Sequence, residues 1–211
     1  MTRTLVHVVR HGEVLNPAKI LYGRLPGFHL SPLGVQMAER LAVEYANNDI
    51  IYLVASPLER AQETAAPIAA RHGLPVASDP DLLEAMNVFE GLTFGVGDGS
   101  MRRPTHWKHL RNPFRPSWGE PYVELAARMV RGLESARDAA LGHEAMVVSH
   151  QLPIEILRRH LTHQHLWHRP DRRMCALASV TTFAYDGDAL TDVSYADHCA
   201  DIAVGPSIPG A

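Results

Sequence analysis

An α/β fold, a three-layer sandwich on a mostly parallel mixed sheet with a C-terminal hairpin, is predicted by two features of the 211-residue sequence. Apolar runs of strand length alternate with segments of helical period, the pattern of a parallel sheet with helices on both faces. The last two strand-like runs break that rhythm, because the Asp186-Gly187-Asp188 turn between them is too short for a crossover. The length suits one core, so residues 1–211 are read as a single domain.

Leu5 to Val9, in a run that is mainly apolar, reads as a buried strand. Ser31-Pro32 then supplies an N-cap followed by proline at the first helical position, opening a helix through about Ala46. Leu33, Met37, Leu41 and Tyr45 fall on one face of it. Ile50 to Ala55 is a second buried strand, and Ser56-Pro57 repeats the cap-and-proline signal for a helix to about His72, closed by Gly73. Pro75 to Ala77 is a short third strand. From about 91 to 121 the periodicity is lost in a stretch rich in Gly, Pro, Arg and His, too long for a bare connection, and this is read as an inserted cap or lid with some helix around Thr105 to Leu110. Tyr122 to Leu141 is helical, Met146 to Ser149 is a strand, and Leu152 to about Leu161 is a helix. Ala176 to Tyr185 and Leu190 to Ala196 form the closing hairpin, and the tail AVGPSIPGA is expected to be mobile.

The formal net charge of −3 supplies no global attraction to nucleic acid or an anionic membrane, so neither is expected as a partner. No apolar run is long enough to cross a bilayer, and the N-terminus lacks the pattern of a secretory signal. Cys175 and Cys199 have no metal-ligand or redox spacing and read as ordinary thiols, with a disulfide between them left open. A cytoplasmic location follows as the expectation, and a homodimer is left open.

In parallel α/β sheets ligands bind beyond the carboxyl ends of the strands. That rule selects Arg10-His11-Gly12 after the first strand, Ser56 to Arg60 after the second, and Ser149-His150-Gln151 after the strand AMVVSH. Taken singly, each has a bland explanation as a turn residue, a helix start or a solvated side chain. Together they bring two arginines and two histidines to one sheet edge, with helix N-termini nearby, which suits a doubly charged tetrahedral anion.

RHG after the first strand, SPLERAQETA after the second and VVSH late in the chain resemble the motifs of the histidine phosphatase superfamily, the phosphoglycerate mutase-like group, in the right order across residues 5 to 150. The resemblance implies that His11 is a nucleophile that becomes phosphorylated and that Arg10, Arg60 and His150 hold the phosphoryl group. It also implies that a carboxylate serves as general acid and base. LLEAMNVFEG fits the family's leucine-x-Glu pattern with Glu84 as that proton donor, leaving Glu90 a structural role. Asn16 is the counterpart of a phosphate-contacting asparagine, although the spacing after RHG is one residue short. Gln151 stands where many members have glycine; its backbone N–H could bind a phosphate oxygen, but a positive φ would be costly there.

The chemistry follows from the side chains. Neighbouring guanidinium groups disfavour an imidazolium, so His11 is kept ready to attack phosphorus, and the same cations stabilise charge on the equatorial oxygens. Neither metal nor other cofactor is needed. In the lid, Arg102, Arg103, His106, Lys108, His109, Arg111 and Arg115 with Trp107 and Trp118 suggest a second anionic group, a sugar or an aromatic ring on the substrate. The cluster His160, His163, His165 and His168 reads as solvated helix and loop in preference to a metal site, and GVGDGS lacks the Gly-Lys-Ser/Thr of a P-loop. The sequence therefore predicts a metal-independent phosphomonoesterase acting on a small phosphorylated metabolite. The alternatives are a cofactor-dependent phosphoglycerate mutase and a non-catalytic phosphate-binding regulatory module, the latter disfavoured by the intact set His11, Arg60, Glu84 and His150.

Overall fold

A computed structural model describes residues 3–92 and 119–202. Its elements are β1 (Arg3–Arg10), α1 (Pro32–Glu44), β2 (Ile50–Ala55), α2 (Glu59–His72), β3 (Ala77–Ser78), α3 (Tyr122–Ala139), β4 (Glu144–Ser149), α4 (Gln151–Leu161), β5 (Val180–Asp186) and β6 (Ala189–Ala196). They form one six-stranded sheet in the order β3-β2-β4-β1-β5-β6. β3, β2, β4 and β1 run parallel, while β5 and β6 are antiparallel additions at one side. This is the mixed α/β sheet that the sequence pattern predicts. The expected cap falls largely on 93–118, and it lies outside the described residues, as does the tail from 203 onward.

Alternation along the strands divides the core into two layers. Val6 and Val8 of β1, with Ala145 and Val147 of β4, face the helices α3 and α4, where they meet Leu125, Met129, Leu133 and Leu157. Val9, Met146 and Val148 point the other way, onto Met37 and Leu41 of α1 and Ala61, Ala65 and Ile68 of α2. A strand buried on both faces is apolar throughout except where a polar side chain is fully partnered, which is why LVHVV and AMVV carry no polar alternation and why buried His7 is bonded to Thr182 and Glu144. Truncating a fully buried side chain such as Leu133 to alanine costs about 2–5 kcal/mol.

Ser31 caps α1 as read from the sequence, its hydroxyl accepting from Gly34 N at 3.0 Å with Pro32 at the first helical position. The second cap signal is a correction. α2 begins at Glu59, not after Ser56, and its N-cap Leu58 makes no side-chain cap bond. The Ser56 hydroxyl is engaged 2.8 Å from His150 Nε2, so it is committed to the sheet edge before it could serve the helix. Gly73 closes α2 in the left-handed conformation, φ 65°.

Candidate active site

The register of the parallel strands decides which residues meet. Arg10 of β1 lies opposite Ser149 of β4, and Ala55 of β2 lies opposite Val148. The ladder continues one step past the strands, with His11 N–H donating to Ser149 O at 3.1 Å and Ser56 N–H donating to Val148 O at 2.9 Å. Strand β4 sits between β1 and β2, so His11, His150 and Ser56 emerge side by side at the carboxyl edge. The rings of His11 and His150 are 5.2 Å apart between centroids, tilted by 58°.

His11 Nδ1 lies 2.8 Å from its neighbour's carbonyl, Gly12 O. A carbonyl oxygen only accepts, so Nδ1 carries the hydrogen and Nε2 keeps its lone pair. Burial, reinforced by the charges of Arg60 and Arg10, holds His11 well below the ordinary imidazole value. His150 is pushed well below that value by burial, the charge of Arg60 and the proximity of His11. Both rings are neutral at pH 7.

The RHG loop is held by close backbone approach. A Cβ on Gly12 would stand 2.7 Å from Gly34 O, and one on Gly34 would collide with Glu13 O, so the loop and the start of α1 touch only because both positions are glycine. Gly12 N–H donates to Thr64 Oγ1 at 3.0 Å, and the Thr64 hydroxyl donates to Arg60 O at 2.7 Å. Thr64 thereby fastens the nucleophile loop to α2.

Arg60, the second residue of α2, is fully buried, and its guanidinium lies 4.7 Å from the ring centroid of Tyr22. Nη2 donates to Gly23 O at 2.6 Å, whereas Nε and Nη1 have no hydrogen-bond partner among the described residues. The same is true of His150 Nδ1. Buried polar groups are nearly always satisfied, and orphans grouped beside one unprotonated imidazole point to a bound anion as their partner. Arg10 donates through Nη1 to Cys175 O at 2.9 Å.

Glu84 is partly exposed, yet the protein crowded around it raises its carboxyl pKa above the usual value against the opposing charges of Arg60, Arg173 and Arg10. Its backbone is locked from outside. Arg24 Nε donates to Glu84 O at 2.6 Å and Arg128 Nη2 to the same oxygen at 3.2 Å, and both arginines pair with Glu120.

Two sequence-predicted contacts stand differently. Both amide functions of Asn16 are used within its own loop, on Ile20 O at 2.7 Å and Ile20 N at 3.0 Å, which is the geometry of a turn clasp and not of a free phosphate ligand. Gln151 opens α4 and is absent from the positive-φ residues, so the expected strain does not arise. Its side chain donates to Cys175 O at 3.3 Å and accepts from Arg173 at 3.0 Å. The sequence reading missed Tyr22, Thr64, Ser56 as a partner of His150, and Arg173. Ser56 and Thr64 both stand in SPLERAQETA, the signal that could have found them. Arg173 was absorbed in a cluster read as solvated, and in that cluster His168 is buried while His160, His163 and His165 are exposed. The basic and aromatic lid residues, Arg102 to Trp118, lie outside the described residues.

The family model described as histidine phosphatase superfamily (branch 1) matches residues 6–198. The chain belongs to this superfamily. The uncharacterized protein Rv0525 of Mycobacterium tuberculosis is 60% identical over 197 residues, 93% of this chain and 98% of its own length. A probable phosphoglycerate mutase, GpmB of Yersinia pestis, is 32% identical over 183 residues, 83% of each chain. Of solved structures, the mycobacterial glucosyl-3-phosphoglycerate phosphatase Rv2419c matches with TM-score 0.69 at 25% identity, covering 86% of this chain and 90% of its own. YhfR of Bacillus stearothermophilus shares the fold with TM-score 0.74 at 24% identity over 89% and 94% of the two chains. The RHG loop, the α2 arginine and the late histidine, which carry the resemblance in the sequence, converge on one edge. No helix among the described residues is long and apolar enough to cross a membrane.

Proposed function

We propose that the protein is a phosphomonoesterase that passes the phosphoryl group of a small phosphorylated metabolite through Nε2 of His11 to water. The observation that carries this reading is the set of orphaned buried nitrogens, Arg60 Nε and Nη1 and His150 Nδ1, beside an imidazole whose Nε2 lone pair is exposed by the Nδ1 contact to Gly12 O. Phosphatases among the structural relatives support the same class.

In the first step the Nε2 lone pair forms the P–N bond as the P–O bond to the alcohol breaks. Glu84, whose raised pKa favours the protonated acid, gives its proton to the departing oxygen. Arg60, Arg10 and His150 neutralise charge on the equatorial oxygens in a buried setting, where such contacts are strongest. In the second step the Glu84 carboxylate takes a proton from water, the water oxygen bonds to phosphorus, and the P–N electron pair returns to Nε2. Phosphate leaves and Glu84 is protonated again. All proton and phosphoryl movements are handled by these side chains, so the reading includes metal independence.

The likeness to a probable phosphoglycerate mutase favours one second reading, in which an alcohol in place of water accepts the phosphoryl group. Release of inorganic phosphate from p-nitrophenyl phosphate in EDTA tests the first reading, and product analysis with 3-phosphoglycerate and bisphosphoglycerate tests the second. His11→Ala is expected to lose at least a thousandfold in rate and the acid-labile phosphoprotein. Full activity in that variant would remove the nucleophile assignment.

A further inference from the structure

We infer that Tyr22 is a positioning residue whose ring fixes the plane of the Arg60 guanidinium, leaving the charge of that side chain and its Nε and Nη1 open to the phosphoryl group. The inference rests on the phosphatase reading above and adds to it the device that sets the phosphoryl-binding arginine.

Arg60 is fully buried, yet a single hydrogen bond holds its guanidinium among the described residues, from Nη2 to Gly23 O at 2.6 Å. One contact at a terminal nitrogen leaves the planar fork free to swing about it. The second restraint is the Tyr22 ring, whose centroid lies 4.7 Å from Arg60 Cζ, within the reach of a cation–π contact. A carboxylate in that place would draw on the N–H groups that the phosphoryl oxygens need and would cancel the charge. An aromatic ring attracts the cation and does neither. Burial raises the pKa of the Tyr22 hydroxyl, so the residue brings no negative charge of its own at pH 7.

The ring is itself well fixed. Tyr22 is buried and stacked on Phe28 with centroids 5.0 Å apart, and it meets the His11 ring edge-on at 6.5 Å. Backbone hydrogen bonds join the preceding residue, Leu21, to Gly91 and Leu92. The helix that carries Arg60 also holds this loop, since Glu59 accepts from Gly27 N–H at 3.0 Å and Glu63 from Leu30 N–H at 2.8 Å. Gly23 has φ 40°, and a Cβ there would collide with the Glu90 carboxyl, so glycine is what lets its carbonyl reach Arg60. Residues 22 and 23 thus restrain one guanidinium through an aromatic ring and a carbonyl, while Nε and Nη1 stay without a partner among the described residues.

The test reads turnover of p-nitrophenyl phosphate and, by calorimetry, the Kd of inorganic phosphate. Tyr22→Leu, which removes the ring, is expected to lower kcat/KM and weaken phosphate binding about tenfold each, and Tyr22→Phe, which keeps it, should recover most of that loss. Replacing Tyr22 by phenylalanines of increasing ring fluorination keeps the shape and removes negative potential from the ring face, so the loss should grow with each fluorine. In an Arg60→Met background the Tyr22→Leu change should cost less than about twofold, because the group it positions is gone. Should Tyr22→Leu fail to fold, as judged by thermal melting, the fluorinated series carries the comparison. A Tyr22→Phe loss as large as that of Tyr22→Leu, a series flat with fluorination, or an undiminished effect in the Arg60→Met background overturns the inference while leaving the phosphatase reading intact. A wild type that binds phosphate but turns over no ester removes the phosphatase reading, and the Kd series still decides the role of Tyr22. A wild type that neither binds phosphate nor turns over ester overturns both.

Discussion

The hydroxyl of Ser56 lies 2.8 Å from Nε2 of His150, joining the end of β2 to the end of β4 across the candidate active site. Ser56 also receives a long contact from Leu58 N–H at 3.5 Å, which leaves its own hydrogen to point at Nε2. The proton of the neutral ring then belongs on Nδ1, the buried nitrogen without a partner among the described residues, where it can be donated to a phosphoryl oxygen. Ser56→Ala is expected to release this choice of tautomer and lower kcat/KM about fivefold to tenfold, the equivalent of one lost hydrogen bond of about 1 kcal/mol. The ring 15N shifts of His150 are the check. Unchanged shifts in the variant would show that Ser56 does not set the tautomer.

Glu84 should matter in proportion to how badly the leaving group needs a proton. Glu84→Gln is expected to slow hydrolysis of alkyl phosphates by about 10²–10⁴-fold and that of p-nitrophenyl phosphate, whose phenolate leaves unaided, much less. Wild-type kcat/KM should decline on the alkaline side as the Glu84 proton, held above its usual range by burial, is lost. The variant should lack that decline. An equal loss on both substrates would remove Glu84 from the role of acid.

Two buried neutral imidazoles tie stability to pH. His11 and His150 are held well below 6.5 in the folded protein, so the unfolded chain binds protons more readily between 6.5 and the folded values. Their contribution is complete above pH 6.5 and is lost as the pH falls toward the folded values, at up to about 1.4 kcal/mol per pH unit for each ring. Denaturant unfolding at pH 7.5 and 5 should show a fall in wild-type stability that His11→Gln/His150→Gln largely lacks. The same fall in both proteins would contradict the linkage.

The Arg128–Glu120 pair is predicted to be costly to break. Its side chains are only 10% and 13% exposed, and Arg128 also donates to Asp81 O at 2.5 Å and to Glu84 O. Arg128→Met leaves Glu120 short of a partner and should destabilise by about 3–5 kcal/mol, lowering Tm by roughly 6–20 °C. Calorimetry measures this directly. Because Arg128 also holds the Glu84 backbone, the remaining activity should fall more on alkyl phosphates than on p-nitrophenyl phosphate.

What the sequence determined by itself was the kind and order of elements and the set of motif residues at their ends. Short, mainly apolar runs such as LVHVV and MVVS, rich in β-branched valine, read as strands buried on both faces, and helical spacing with Ser31-Pro32 and Gly73 marks α1 and α2, because these signals act over a few residues. His11, Arg60 and His150 were legible for the same reason, each lying just past a strand. Tertiary structure alone decided that β4 inserts between β1 and β2, which brings the His11 and His150 rings to 5.2 Å. It also turned Asn16 inward on Ile20, drew the Ser56 hydroxyl away from α2 to His150, and set Arg173 on Gln151 and His168 without an ion-pair partner among the described residues. Those outcomes depend on pairing and packing between segments distant in the chain, and a local pattern encodes which face of an element is buried but not what lies against it.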